Sequence, residues 1–220
     1  LADVLQATGR GVEVGYLART LQEIAPEKYR AAAISVASEL LAGGTALEKA
    51  DRDSLYGVLA MYKDGSLVAQ AQAQLIQANG QIDRSALKYL HNTIGEQTIP
   101  LVVQAYNDPH VDPSQKEPIA RVALFYAGAD EQATKLYNTA ITDENLSIEA
   151  RRNLLEDLND EGYANHKMPT PQDQVLINSR LKLLESYQGV FTDPKLISSM
   201  NEAKKDLLHM QAKATAKAQP

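Results

Sequence analysis

The chain contains no cysteine and no tryptophan, only two phenylalanines, and no basic stripe ahead of its C-terminal end. The absent cysteine excludes disulfides, thiolate catalysis and cysteine metal sites together. With ten tyrosines as nearly all of its aromatic content, the core must be filled by Leu, Ile, Val and Ala, which suits closely packed helices. Acidic residues exceed basic ones, 28 to 22, for a net charge of -6. Phosphate-gripping proteins draw most of their affinity from a basic surface, so nucleic acid is not an expected partner. No apolar run approaches the roughly 20 residues needed to cross a bilayer, so no direct membrane insertion is expected. No secretory signal sequence is legible. The lack of cysteine, with a first residue that is Leu rather than Met, points to an exported, periplasmic bacterial protein cut from a longer precursor; a cytoplasmic location is the alternative.

What is present is helix-forming. Leu, Ala, Gln, Glu and Lys dominate, β-branched runs are scarce, and no stretch alternates as a strand would. Apolar residues recur at helical spacing between turn signals, which predicts about eleven helices. Tyr16, Leu17, Leu21 and Ile24 mark one face of the first clear helix, and "GRGVEVG" before it reads as a flexible entry turn. Pro26 suits the first turn of the next helix, whose packed side holds Ala33, Val36, Ala37, Leu40 and Leu41, and Gly43-Gly44 ends it. Asp64-Gly65, Asn79-Gly80, Gly95, Gly128 and Gly162 are later stops. Asp51, Asp83, Ser147 and Asp193 are N-cap candidates.

The helices come in pairs that repeat. Laying "GEQTIPLVVQAYND" against "ADEQATKLYNTAITD" pairs Glu96, Gln97, Leu101, Ala105 and Asp108 with Glu131, Gln132, Leu136, Ala140 and Asp143. Laying "IARVAL" against "EARRNL" pairs Ala120, Arg121 and Leu124 with Ala150, Arg151 and Leu154. The unit is helix, Gly turn, helix, Asp turn, with a period of about 30–35 residues.

These motifs resemble the HEAT-repeat family of α-solenoids. The resemblance is clear over 83–158 and weaker over 27–82. It lies in the Gly turn, the early proline of the second helix (Pro100), the Asp turn, and the Ala-Arg pairs Ala120-Arg121 and Ala150-Arg151. It implies an all-α fold, a right-handed α–α superhelix of HEAT-like helix pairs. Residues 1–220 then form one solenoid domain, with repeats over 27–158, capping helices over 172–210 and a tail over 211–220.

"NDPHVDPSQKEP" sets Asp108, His110 and Asp112 at alternate positions among three prolines. Metal ligation would need further donors held in fixed geometry, and none is identifiable. The stretch reads as an inter-repeat turn some residues longer than its counterpart after Asp143, and as an exposed loop open to partner contact. The four histidines, His91, His110, His166 and His209, show no ligand spacing. His91 reads as a packed or half-exposed helical residue, and His166 and His209 as solvated. Glu156, Asp157, Asp160 and Glu161 read as a solvated acidic helix end. Neither a phosphate-binding glycine loop nor a nucleophile elbow is present.

One polar stripe stands out. Gln70, Gln74 and Gln77 fall on one helical face of "SLVAQAQAQLIQ", and the resemblance implies that second helices line a concave surface, which Gln104, Lys135 and Asn138 continue. An amide-rich groove suits hydrogen bonding to a protein or peptide. The function expected is a non-catalytic scaffold that binds protein or peptide through the concave face and the 108–118 and 160–171 loops. No cofactor, metal site or catalytic residue is expected. The alternative is a HEAT-like lyase-type enzyme or accessory, which needs a deep pocket holding a buried histidine or carboxylate.

Overall fold

The computed structural model describes residues 2–43, 47–158 and 171–216. Among these, every regular element is helical: α1 (Ala2–Ala7), α2 (Gly11–Ile24), α3 (Pro26–Ala42), α4 (Lys49–Met61), α5 (Val68–Gln74), α6 (Arg84–Ile94), α7 (Ile99–Asn107), α8 (Lys116–Tyr126), α9 (Glu131–Thr142), α10 (Ile148–Glu156), α11 (Pro171–Ser186) and α12 (Pro194–Ala216). Short 3-10 turns precede α7 and α8, and extended pairing is limited to the isolated bridges Ile76–Ile82 and Ala127–Asp130. The all-α class expected from composition and periodicity is therefore observed.

The helices group into two units, 1–98 and 99–220. In the first, α2, α4 and α6 pack side by side as one row, while α1 and α3 lie against each other, with α3 also touching α2 and α4. In the second, α8, α10 and α12 form a row, and α7 and α9 pack on each other and on α8. Of the apolar residues aligned in the sequence, Ala120 with Ala150, Leu124 with Leu154, and Ala105 with Ala140 are all buried, while Leu101 is half-buried where Leu136 is buried.

Several helix ends follow the sequence signals. Pro26 opens α3. The Asp83, Ser147 and Asp193 side chains accept N–H groups of the first turns of α6, α10 and α12. Gly95 and Gly128 follow α6 and α8 with positive φ, the conformation that stops a helix at little cost for glycine.

Four expectations in the first unit need correction. First, α2 packs through Gly11, Val14, Gly15, Ala18 and Leu21, and leaves Tyr16 68% and Ile24 69% exposed. Small residues win this face because α4 comes so close: a Cβ on Gly11 would lie 2.6 Å from the Asp51 carbonyl oxygen. From Gly11 onward "GRGVEVG" is accordingly the first turn of a helix rather than a flexible entry, with Gly9 and Arg10 just before it. Second, Asp51 lies inside α4 and its carboxylate accepts the Val12 N–H at 2.9 Å, so it caps α2 instead of its own helix. Third, α4 is stopped before Asp64-Gly65, at Lys63, which takes φ 53°. Lys63 N–H bonds Ala60 O and Asp64 N–H bonds Leu59 O, the paired bonds of a Schellman end. Fourth, α5 ends at Gln74, because Gln77 N–H turns back to Gln81 O at 2.8 Å and Asp83 N–H to Leu75 O at 2.9 Å.

In the second unit Arg180 is fully buried and gathers carbonyls from two other helix ends. Its guanidinium donates to Leu158 O at 2.6 Å, Leu124 O at 3.0 Å and Phe125 O at 3.4 Å. A cation at helix C-termini offsets the negative end of the helix dipole and satisfies carbonyls that lack helical partners. At its own end α12 runs on to Ala216, beyond the 211 boundary where the tail is expected to start, and 217–220 lie outside the described residues.

Candidate functional site

The first unit holds a polar cleft of about 580 Å³. Arg52 and Tyr56 enter it from α4, Gln70 and Gln74 from α5, Gln77 from the turn that follows, and Asp83 from the start of α6. The helical phase that groups the three glutamines fails at Gln77, since α5 has already ended. The tight 77–81 turn nevertheless returns Gln77 to the same cleft.

Asp83 is the electrostatic anchor. It is 4% exposed, and its Oδ1 accepts the Ser85 and Ala86 N–H groups at 3.0 and 3.1 Å. Its Oδ2 accepts Arg52 Nη1 at 2.9 Å. The guanidinium is thereby fixed at the cleft while its side chain keeps 34% of its surface exposed. Tyr56 stacks on Tyr89, with ring centroids 4.8 Å apart, and its hydroxyl reaches Gln74 Oε1 at 3.5 Å. Burial pushes the Tyr56 hydroxyl pKa up, the Asp83 charge adds to this, and Arg52 opposes it. The cleft therefore offers neutral amides, a phenol kept protonated and one tethered cation. Sequence reasoning missed Arg52 and Tyr56 and read Asp83 only as a cap. The pairing of Arg52 with Asp83 joins two helices and leaves no local spacing signal.

In the second unit Lys135 and Asn138 line an open groove of about 590 Å³ with Thr134, Ser179 and Lys182, between α9 and α11. Asn138 Oδ1 accepts the Tyr187 hydroxyl, which holds that amide in place. Gln104 is exposed on α7. Asp108, His110 and Asp112 lie in the turn before α8. Asp108 Oδ1 accepts the His110 N–H at 2.8 Å and lies 2.9 Å from its Nδ1, and Asp112 Oδ1 accepts Ser114 N–H and Oγ–H at 2.8 and 2.6 Å. Each carboxylate thus serves its own Asx turn. These bonds hold both below the usual carboxylate pKa, Asp108 chiefly through the His110 backbone and Asp112 chiefly through the Ser114 hydroxyl. Among the described residues no three His, Asp or Glu side chains gather as a metal site would require.

His91 is largely buried, and desolvation, aided by the Lys63 charge, lowers its pKa to about 4. His209 is exposed, while His166 and the 160–170 part of the second loop lie outside the described residues. Of the acidic helix end, Glu156 accepts Arg152 at 3.0 Å and Ser199 Oγ at 2.6 Å, and Asp157 pairs with Arg121. These two are therefore bound into structural links rather than simply solvated. Asp160 and Glu161 lie outside the described residues.

Compared with known proteins, the chain matches no family profile, no curated protein and no solved structure. The class that fold and site define is an all-α protein of helices packed against one another, with a polar, amide-lined cleft. No helix among the described residues is long and apolar enough to cross a membrane.

Proposed function

We propose that this chain is a non-catalytic module that binds a protein through an extended peptide segment held in the amide-lined cleft. The observation that carries this reading is the convergence of Gln70, Gln74 and Gln77 beside Arg52. A primary amide offers both donors and acceptors. Three of them along one cleft complement the alternating N–H and C=O groups of an extended backbone, and Arg52 complements an acidic side chain or a terminal carboxylate.

The finer architecture belongs to the same proposal: a right-handed superhelix of HEAT-like helix pairs. Row packing inside each unit supports it, as does the shared burial of three aligned apolar pairs, Ala105 with Ala140, Ala120 with Ala150 and Leu124 with Leu154. Stacked pairs offer extended surface in place of a closed pocket. The lyase-type alternative needs a carboxyl or imidazole free to move a proton. Asp83 is the buried carboxylate of this cleft, and both its oxygens accept structural hydrogen bonds, which favours binding over catalysis.

The test is selection of a displayed random-peptide library on the protein, followed by calorimetry of recovered peptides with wild type and Gln74→Ala. Loss of about tenfold or more in affinity is the expected result. Peptides that bind both proteins equally would move the function away from this cleft.

A further inference from the structure

Gly57 lies inside α4, is exposed, and would place an added Cβ where nothing lies within 4 Å. Nothing in the fold requires the missing side chain, yet a glycine inside a helix weakens it relative to alanine. The two glycines of α2 have a structural reason: a Cβ on Gly11 would meet Asp51 at 2.6 Å, and one on Gly15 would meet Ser54 Cβ at 3.0 Å. Gly57 has no such neighbour. Its bare backbone faces a second cleft of about 430 Å³ on the α2–α4–α6 row.

Arg19 from α2 and Lys88 from α6 also line this cleft, and both are exposed. Neither belongs to an ion pair among the described residues. The cleft's own carboxylate, Asp53, is engaged by Lys49 and by the Ser85 hydroxyl. The Lys88 charge also acts on Asp53, and Arg19 Nε donates to the Gly15 carbonyl at 3.1 Å. A protein with net charge -6 therefore sets two exposed cations, neither in a direct ion pair, around a floor stripped of its side chain.

We propose that this cleft docks an acidic α-helix of a partner protein, which crosses α4 at Gly57 and sets carboxylates against Arg19 and Lys88. Helix axes normally stay about 8–10 Å apart according to the side chains at the contact. A glycine at the crossing point lets a partner helix come closer, which gives its absent side chain a purpose. The inference is independent of the amide-lined cleft, which has a different lining apart from Tyr56.

The probe is a fluorescent helical peptide of Ala and Glu, compared with the same peptide carrying Gln for Glu, titrated with the whole chain and read by anisotropy. The Ala/Glu peptide is expected to bind more tightly, and more weakly as salt rises. Gly57→Leu is expected to weaken binding about tenfold or more without lowering the melting temperature. The double variant Arg19→Glu, Lys88→Glu is expected to abolish it. Gly57→Ala, which favours the helix, is the second variant should Leu disturb folding, and it too must weaken binding. Equal binding of the two peptides, or Gly57 variants that bind like wild type, would overturn the proposal. A dimer that forms only when Gly57 is present, with no peptide binding, would overturn it in favour of a second copy of the chain.

Discussion

Arg52 Nη1 and Asp83 Oδ2, 2.9 Å apart, join α4 to the N-terminus of α6 and set the floor of the amide-lined cleft. The same carboxylate caps α6. Asp83→Ala removes both links and leaves a half-buried guanidinium unpaired, and is expected to cost about 3 kcal/mol. Asp83→Asn keeps a capping oxygen and should cost less. Urea unfolding of both variants checks this. Equal losses would show that the cap contributes nothing.

The α2–α4 contact gives a second prediction. Asp51→Ala removes the acceptor for Val12 N–H and is expected to cost about 1 kcal/mol. Gly11→Ala forces a methyl group against the Asp51 backbone and should cost about 1–3 kcal/mol. The two should not add in a double-mutant cycle, because they act on one contact.

Lys63 supplies the left-handed residue at the end of α4, where glycine is the usual choice. Lys63→Gly is expected to stabilise the protein by about 0.5–1 kcal/mol. The loss of the Lys63 Nζ bond to Asn92 O offsets part of the gain. A melting temperature lower than wild type would mean that this bond outweighs the backbone strain.

His91 makes stability depend on pH. Its pKa falls from 6.5 unfolded to about 4 folded, so the folded state refuses a proton that the unfolded state accepts. Stability from this group is fully present above pH 6.5 and is lost as pH falls towards 4, by at most about 1.4 kcal/mol per pH unit. His91→Gln should flatten the slope in that window, measured by denaturant midpoints across pH.

Arg180 is expected to be the most sensitive position of the second unit. Arg180→Met strands the carbonyls of Leu124 and Leu158 and should cost about 3 kcal/mol or more. Arg180→Lys should recover little, because a single ammonium cannot span both helix ends as the planar fork does. Thermal unfolding of both variants, with full recovery by Lys as the contrary result, decides it.

How far the sequence spoke for the structure varied with the range of the force involved. The all-α class, the starts of α3, α6, α10 and α12, and the stops at Gly95 and Gly128 rest on local chemistry, and all were legible. The packed face of α2 was not, since Tyr16 and Ile24 carry the apolar signal while Gly11 and Gly15 carry none, although close approach to α4 selects the glycines. The end of α5 was overrun because Leu75 and Ile76 suit a helix, and only the bonds made from the far side of the 77–81 turn pull them out of it. Gln70, Gln74 and Gln77 line one cleft, but the helical phase that groups them in the sequence does not hold at Gln77. Arg52 and Arg180 find their partners on distant segments, which sequence spacing cannot report.

The most direct measurement is a titration of isotope-labelled protein with a library-selected peptide, following the side-chain amide resonances of Gln70, Gln74 and Gln77. All three should shift together and saturate with the same affinity as the calorimetric binding, while Gln104 stays fixed. Saturable binding that leaves those three amides unmoved would contradict a peptide site in this cleft.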